Sequence, residues 1–376
     1  MALRLSRSIV GEAEARAVSR VLLEDGYLGM GNEVRLFEEE LSAFLGISAQ
    51  RIIAVNTGTA ALHLAVEALA PRGGGEVLAP SLTFVASFQA IAAAGCTPVA
   101  CDCLPETGTL DLKDAEKRLS SKTFAVMPVD YASNPWQLDE VYDFATRKGL
   151  RVVEDAAHAF GCLSRGRKIG SFGDLVCFSF DGIKNITSGE GGCVVSFDAE
   201  VARRISDARL LGVEGDAQKR FAGARSWDPD VTRQGWRYHM SNIMAALGRV
   251  QLARLETEFI PARRALAARY REQLAGVADI AFLRTDPADF IVPHILPVRV
   301  LRRRKDAVKN ALAEKGIPTG MHYKPNHLLT YFGGGAACLP ATEQLYSELL
   351  TLPLHPGLSV QDVDNVCVAV QLALTS

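Results

Sequence analysis

The sequence predicts an α/β protein with a mostly parallel, doubly wound sheet flanked by helices, followed by a smaller C-terminal α/β unit. In the first half of the chain, short apolar runs typical of buried strands alternate with helical patterns. The 376 residues suffice for two packed units, and 48% hydrophobic with 22% charged residues is an ordinary globular composition.

One helix and five strand-like runs open the predicted fold. The helix is expected to begin at a cap at Asn32 and to end at Gly46, because apolar side chains recur at helical spacing: Phe37, Leu41, Phe44 and Leu45. The strand-like runs, separated by helical patterns, are Arg51–Val55, Glu76–Ala79, Thr97–Cys101, Phe124–Val129 and Arg151–Glu154. This repeated alternation favours parallel pairing with helices on both faces of the sheet.

The second half of the chain departs from this alternation. The apolar runs Leu175–Phe180 and Cys193–Phe197 have a Gly-rich connection that is too short for a helical crossover, so we expect them to pair antiparallel. The polar stretch Val213–Gln234 is predicted to be a long loop, Ser241–Leu255 a helix and Ile291–Val300 a strand. We place the domain boundary in this loop, with a large domain at residues 1–235 and a smaller one at 236–376.

The composition argues against several classes of function. Lys and Arg number 41 against 43 Asp and Glu, a net charge of −2, which gives no broad attraction to nucleic acid or to an anionic membrane. No run approaches the ~20 apolar residues of a membrane span. The eight cysteines form no paired CxxC motifs. We expect a soluble, cytoplasmic protein with reduced thiols and without a metal site.

Lys184 is the first candidate for chemistry. It lies between an apolar strand and a Gly-rich loop in the segment Ser179–Gly192, SFDGIKNITSGEGG. In a partly desolvated cleft the pKa of a lysine falls, and its neutral amine becomes a nucleophile. A solvated loop lysine is the alternative, since most lysines are solvated.

Asp155 and a turn between a strand and a helix are two further candidates. Asp155 follows a buried-looking strand, where open α/β sheets present groups to ligands, and its carboxylate can keep a pyridine nitrogen protonated. Alternatively, Asp155 caps the following helix.

The turn Asn56–Leu62 can bind phosphate through free backbone N–H groups and the Thr59 hydroxyl. Alternatively, it is an ordinary helix cap. The chain has no GxGxxG fingerprint or Walker lysine here.

Taken in order, six segments resemble the DegT/DnrJ/EryC1/StrS family, the sugar aminotransferases among the fold-type-I pyridoxal-phosphate enzymes. The arrangement SF-x3-K-x4-GEGG with an upstream Glu-Asp-Ala-Ala is specific. The segments span nearly the whole chain: Asn56–Leu62, Pro80–Ala86, Glu154–His158, Ser179–Gly192, Met240–Leu252 and Leu352–Pro356. The resemblance implies a fold-type-I aminotransferase with a mostly parallel seven-stranded-type sheet in the large, cofactor-binding domain.

The resemblance also implies roles toward the cofactor, pyridoxal 5′-phosphate. Lys184 forms the Schiff base, Asp155 pairs with the pyridinium nitrogen, and His158 lies near the phenolic oxygen of the ring. Phe84 aligns with an aromatic residue that stacks on the ring, although a plain core aromatic is the alternative. Three positions align with phosphate-binding residues: Gly58, Thr59 and Ser179.

One position departs from the family pattern. Members often carry Asn before Tyr-Arg-Met-Ser, and that asparagine reaches the phosphate in the neighbouring subunit, whereas this chain has Arg237 before Tyr-His-Met-Ser. Arg237 can make the same contact with charge assistance, or point elsewhere. The segment Met321–Pro325 resembles the substrate-side loop, which implies sugar contacts for His322 and Tyr323. Structural packing is the alternative for His322.

The implied activity is transfer of an amino group from L-glutamate to a nucleotide-linked keto-sugar, in a homodimer with shared active sites. A sugar dehydratase of the same family is one alternative, but it has histidine in place of Lys184. An amino-acid aminotransferase of the same fold is a second, and it needs an arginine for the substrate carboxylate. A non-catalytic binding or regulatory protein is a third, which Lys184, Asp155 and the phosphate turn together argue against.

Overall fold

A seven-stranded, mostly parallel sheet forms the centre of the protein. The computed structural model describes residues 3–224 and 227–375, and the seven strands lie within them. They are β1 (Ile52–Val55), β2 (Glu76–Pro80), β3 (Thr97–Cys101), β4 (Thr123–Val126), β5 (Arg151–Asp155), β8 (Leu175–Ser179) and β9 (Gly192–Ser196). Two short strands between β5 and β8 form a separate hairpin, β6 (Leu163–Ser164) and β7 (Arg167–Lys168).

The strand order is β1-β9-β8-β5-β4-β2-β3. Strands β8, β5, β4, β2 and β3 pair in parallel, and β9 is antiparallel to both β8 and β1. The predicted antiparallel pairing of the two apolar runs is therefore confirmed, and β8 itself continues the parallel part of the sheet. Because β1 and β8 are each antiparallel to β9, they run in the same direction as each other. Strand β8 is parallel to β5, so β1 runs in the same direction as β2 to β5.

Helices cover both faces of this sheet. In β1, Ile52 and Ala54 pack on one face while Ile53 and Val55 pack on the other, and all four are buried. A strand that is apolar on both faces is typical of a parallel sheet between two helical layers. The helices of this part are α1 (Glu12–Arg20), α2 (Asn32–Leu45), α3 (Gly58–Leu69), α4 (Val85–Ala93), α5 (Leu112–Lys117), α6 (Leu138–Lys148), α7 (Ala199–Ala208), α8 (Asp216–Phe221) and α9 (Asn242–Arg254).

A smaller antiparallel sheet follows in the C-terminal part of the chain. Its strands are β10 (Ile280–Phe282), β11 (Leu296–Val300) and β12 (Leu349–Leu352), with β11 in the middle. Apolar residues of this sheet pack against the helices α10 (Ile260–Gln273), α11 (Lys305–Glu314) and α13 (Val360–Thr375), and α12 is Pro340–Glu348. Helix α9 packs against α1 and α2. The domain boundary at residues 235/236 stays a prediction.

Three local predictions are wrong in detail. Gly31, not Asn32, is the N-cap of α2, because the Asn32 side-chain oxygen accepts hydrogen bonds from Arg35 instead of capping the helix. The predicted loop at 213–234 contains α8 among its described residues, stabilised by an Asp216–Arg220 ion pair of 2.6 Å. Strand β11 begins at Leu296 rather than at residue 291. Gly46 does end α2, with a left-handed φ of 72°.

Gly192 in β9 packs tightly against β8 and the start of α3, and a substitution can test this packing. A Cβ atom there would lie 2.6 Å from the Phe178 carbonyl oxygen and 2.8 Å from the Gly58 nitrogen and the Thr57 oxygen. These are backbone atoms that cannot move alone, so we expect Gly192→Ala to lower Tm by several degrees. Gly182→Ala is the matched control, because its Cβ would meet no atom closer than 3.4 Å. Equal Tm values for the two variants in a thermal melt would contradict this packing.

Candidate active site

The candidate residues collect where the parallel strands end. Asp155 is the last residue of β5 and Ser179 the last of β8, while Gly58 begins α3 shortly after β1. Phe84 follows β2 and precedes α4. Because the carboxyl ends of parallel strands meet at one edge of the sheet, this edge is where open α/β folds bind ligands.

Asp155 is a buried carboxylate that is held from two sides. Its Oδ2 accepts a hydrogen bond of 2.7 Å from the Ser87 hydroxyl, and its Oδ1 accepts one of 3.2 Å from the Ala157 N–H. Burial raises the pKa of Asp155, and these two hydrogen bonds and the charge of Lys184 oppose that rise. Residues 156–162 form turns, so Asp155 does not cap a helix. Its carboxylate is oriented by Ser87 rather than by solvent.

Lys184 lies in a desolvated environment next to a histidine. Its Nζ donates a hydrogen bond of 3.4 Å to His294 Nε2. The pKa of Lys184 is lowered to about 8, chiefly because burial removes its hydration; Asp155 and Asp181 oppose this fall, and the charge of Arg263 adds a smaller lowering effect. These surroundings do not fit a solvated loop lysine. A pKa of about 8 leaves an appreciable fraction of the neutral, nucleophilic amine near neutral pH.

A group of neutral histidines surrounds this amine. His158 Nε2 lies 3.0 Å from the Tyr323 hydroxyl, and the His158 and His294 rings are 4.6 Å apart. Burial and then the charge of Lys184 lower the pKa of His158 and His294 well below the usual range, and that of His322 to about 4. Neutral imidazoles keep one nitrogen as an acceptor. The buried Nδ1 atoms of His158 and His294 have no partner within the described residues.

Two aromatic side chains, Phe84 and Tyr323, lie next to this group of histidines. Phe84 is 53% exposed, and its ring centroid lies 5.4 Å from that of Tyr323. A plain core aromatic would be buried, so the exposed ring does not fit that alternative. His322 is held by a hydrogen bond of 2.9 Å between its Nδ1 and the Thr351 hydroxyl. The loop that carries His322 and Tyr323 therefore reaches the same cleft as Lys184.

The turn before α3 has the geometry of an anion site. Thr57, not Thr59, is the N-cap, since its hydroxyl accepts a hydrogen bond of 3.0 Å from the Ala60 N–H. Thr59 is left exposed. A Cβ atom on Gly58 would lie 2.7 Å from Ser179 Cβ, so this glycine lets the start of α3 and the end of β8 approach closely. Free N–H groups and the helix dipole at this point favour a phosphate.

Arg237 is not joined to this cleft within one chain. Its side chain is exposed, and its backbone bridges Leu210. The flanking rings of Trp236 and Tyr238 stack on each other at 13°, with Trp236 donating to Glu67 at 2.8 Å. The hydrogen bonds of the described residues do not link the Arg237 side chain with Lys184. A contact with the phosphate of a neighbouring subunit therefore stays a prediction.

Two contact residues were missed by the sequence interpretation. Ser87 lies three positions after Phe84, in the first turn of α4, and this spacing was a usable signal because it places both residues on one side of the helix start. His294 had no local signal, since it precedes β11 and contacts Lys184, which is 110 positions away in sequence.

Among the described residues, no group of His, Cys, Asp and Glu could hold a metal ion. The described helices include none long and apolar enough to cross a membrane.

A buried acid pair lies directly behind Asp155. Asp130 and Glu154 are almost fully buried, and Asp130 Oδ2 and Glu154 Oε1 have no hydrogen-bond partner among the described residues, so a negative charge on Glu154 disfavours ionisation of Asp130. The Tyr142 hydroxyl donates to the other oxygen of Glu154 at 2.6 Å. Burial raises the pKa of Glu154 to about 7, and burial together with the charge of Glu154 raises that of Asp130.

Comparisons with known proteins agree with this geometry. The DegT/DnrJ/EryC1/StrS aminotransferase family matches residues 9–371. A protein from Saccharopolyspora spinosa, named dTDP-4-dehydro-2,3,6-trideoxy-D-glucose 4-aminotransferase, is 34% identical over 378 residues, which cover 99% of this chain and 97% of that protein. The structure of the aminotransferase TlmJ from Streptoalloteichus hindustanus is similar with a TM-score of 0.92 at 32% identity, covering 100% of this chain and 99% of that one.

A third relative is described with a cofactor. Spr1654 from Streptococcus pneumoniae, described as a sugar aminotransferase, is similar in its PLP-form with a TM-score of 0.88 at 27% identity, covering 99% of this chain and 98% of that one. Its PMP-form is similar with the same TM-score at 28% identity, covering 100% and 99%. These neighbours confirm the predicted aminotransferase fold.

The Asp130–Glu154 pair predicts a pH dependence of stability. A carboxyl group whose pKa is raised by folding binds its proton more tightly in the folded state, so stability is lost as the pH rises from about 4.5 to about 7. Asp130→Asn removes one acid, and we expect a smaller fall in Tm between pH 5 and pH 8. Asp143→Asn, at an exposed position, is the control. Thermal melts with the same pH dependence in both variants would contradict the effect of Glu154 and Asp130 on each other.

Proposed function

The chain belongs to the DegT/DnrJ/EryC1/StrS aminotransferase family, and on this premise we propose that it uses pyridoxal 5′-phosphate to transfer an amino group to a nucleotide-linked keto-sugar. As a family member, the chain is an aminotransferase. The observation that carries the cofactor assignment is the environment of Lys184, a desolvated amine with a pKa of about 8 in the same cleft as the buried Asp155 carboxylate.

The residues of the cleft fit this cofactor. An acid, an exposed aromatic face and an anion site are present together, in Asp155, Phe84 and the turn before α3. The unpartnered Nδ1 of His158 is a further buried polar atom that a ligand can satisfy. When bound, pyridoxal 5′-phosphate supplies an electron sink that stabilises negative charge on a substrate carbon.

The proposed roles follow from the electrostatics of the chain. Lys184 holds the cofactor through its Nζ and, once released, moves a proton at the substrate carbon, for which its lowered pKa is suited. Asp155 keeps a proton on the ring nitrogen, and Ser87 holds the carboxylate in place for that pairing. His158, itself neutral and hydrogen bonded to the Tyr323 hydroxyl, would contact the phenolic oxygen of the cofactor. Gly58, Thr59 and Ser179 would hold the phosphate, and Phe84 would contact the ring.

The acceptor and the donor are inferred from the relatives and from the open side of the cleft. The Saccharopolyspora relative is named for a dTDP-linked keto-sugar, and we assign the same substrate class to this chain, with His322 and Tyr323 as sugar contacts and L-glutamate as donor. Lys184 distinguishes the chain from the sugar dehydratases, in which histidine takes its place. An amino-acid aminotransferase needs an arginine for the substrate carboxylate, and Arg263, the arginine that interacts with Lys184, is buried with its guanidinium on backbone carbonyl groups.

A homodimer with shared active sites completes the proposal. Several large apolar side chains near the N-terminus are exposed in the single chain, as expected for a surface that a second copy covers: Val10, Leu22, Leu23 and Leu28. In such a dimer Arg237 is free to reach the phosphate of the neighbouring subunit, since its side chain is exposed. We place the protein in the cytoplasm, where nucleotide-linked sugars are made.

Absorbance spectroscopy tests the reaction. The protein loaded with pyridoxal 5′-phosphate is expected to show a Schiff-base band at roughly 410–420 nm that L-glutamate converts to the pyridoxamine form. Lys184→Ala removes the amine that moves the proton, so the rate of this conversion should fall by at least about 10³-fold. Lys309→Ala, at an exposed position on α11, is the control and should behave as the unaltered protein.

The outcomes separate the parts of the proposal. A band that forms but ignores L-glutamate would retain the cofactor and overturn the donor. No band after addition of pyridoxal 5′-phosphate would overturn the cofactor assignment. Offering dTDP-linked keto-sugars to the aminated enzyme, with mass spectrometry of the product, tests the acceptor class, which fails if none of these sugars becomes an amine while a keto acid does.

A further inference from the structure

Arg263 is a buried cation beside the loop that carries Lys184. It lies at the start of α10 and is 2% exposed. One end of its guanidinium, Nη1, donates to the carbonyl oxygens of Pro293 and His294 at 3.2 Å each. The other end, Nη2, donates to the carbonyl oxygens of Lys184 at 3.2 Å and Ile183 at 3.5 Å. No described aspartate or glutamate forms an ion pair with it.

A buried charge without a counter-ion is costly and rarely retained for packing alone. Burial lowers the pKa of Arg263 to about 10, which still leaves the guanidinium charged near neutral pH. Neutral donors are available for tying loops together, and this chain uses one nearby. Asn185 Nδ2 donates to the carbonyl oxygens of Phe160 at 3.0 Å and Val292 at 3.2 Å. The hydrogen bonds that join the two segments therefore do not by themselves explain why this position carries a positive charge.

We propose that Arg263 is a positioning residue for Lys184: through four backbone carbonyl groups, its guanidinium ties the lysine-bearing loop to the segment that carries His294. The inference rests on the proposed role of Lys184 as the amine that holds the cofactor. One tied segment supplies the Nζ of Lys184 and the other the Nε2 of His294, and these two atoms are 3.4 Å apart. The planar fork of the guanidinium suits this bridge, because it presents its donors in a fixed geometry.

The charge of Arg263 has a second effect on the same amine. Two acids near Lys184, Asp155 and Asp181, favour its ammonium form, whereas Arg263 opposes that form in the same direction as burial. The other titratable groups that interact with this amine are neutral histidines: His158, His294 and His322. Arg263 thus partly opposes the effect of the two acids while it holds the backbone of Lys184.

The pH dependence of Lys184 acetylation tests the charge. The full chain without cofactor is treated with a trace of acetic anhydride at a series of pH values, and mass spectrometry measures modification at Lys184. The midpoint for the unaltered protein is expected near the pKa of about 8. Arg263→Gln should raise this midpoint by a fraction of a pH unit, since a neighbouring positive charge is lost. Arg263→Lys keeps the charge and should leave the midpoint near that of the unaltered protein.

Hydrogen exchange tests the bridge. Lysine has a single ammonium head and cannot span both pairs of carbonyls, so both Arg263→Lys and Arg263→Gln should exchange faster at residues 181–190 and 291–295. Arg264→Gln is the matched control for both measurements, because the adjacent arginine is exposed and donates to the Ile291 carbonyl at 3.0 Å. It should change neither the acetylation midpoint nor the exchange of the loop 181–190.

Each outcome decides the inference. If Arg263→Gln merely melts at a lower temperature while the acetylation midpoint stays unchanged, Arg263 is a structural residue only and the proposal is wrong. If Arg263→Gln does not fold, Arg263→Lys decides, and unchanged exchange in both segments overturns the bridge. Because the measurements use protein without cofactor, they are independent of the absorbance assay: a shifted midpoint in a protein that forms no band with pyridoxal 5′-phosphate would retain the effect of Arg263 on Lys184 and overturn the proposed function.

Discussion

The desolvation of one amine, Lys184 Nζ, is the constraint around which the cleft is arranged. An ammonium group loses hydration on burial, and the resulting fall in its pKa to about 8 is what makes the amine useful as a nucleophile and proton carrier. The neighbouring imidazoles stay neutral for the same reason, since each would meet both burial and the charge of Lys184. Asp155 is the nearby negative charge that balances this site, and Ser87 keeps it oriented.

The sheet provides the frame in which such a site can form. Strands β5 and β8 end side by side, so Asp155 and Ser179 arrive at one edge, and Gly192 lets β1 and α3 close over the end of β8. The second sheet contributes from the opposite side, through His294 just before β11 and through the loop of His322 and Tyr323. The cleft is therefore lined from both sheets, and the exposed Phe84 ring lies beside Tyr323.

The substrate side of the cleft is the part in which relatives of one family can differ. Phe84, Tyr323 and His322 lie on it, and none is part of a regular strand or helix. Loops of this kind tolerate change better than the strand ends that hold Asp155 and Ser179. In the proposed function, the groups assigned to the chemistry and those assigned to the acceptor come from different elements, so the same fold can retain one cofactor chemistry while the acceptor sugar varies.

What the sequence determined by itself was local in origin. Apolar runs of strand length predicted β1 to β5, β8 and β9, and the short Gly-rich connection predicted that β8 and β9 pair antiparallel. Strand ends and small-residue turns then singled out Lys184, Asp155 and the turn at Gly58. Those signals are carried by neighbouring residues, through side-chain period, propensity and the stereochemistry of glycine.

The tertiary structure decided the rest. The contact of Lys184 with His294, the four carbonyl contacts of Arg263 and the hydrogen bond from Ser87 to Asp155 join residues that are 30 to 110 positions apart. Thr57 caps α3 while Thr59 is exposed, and Asn32 accepts hydrogen bonds from Arg35 instead of capping α2, because the same polar groups compete for several partners. Such choices depend on which donors and acceptors the folded chain brings together and on how completely it excludes water, and neither is encoded in a local pattern.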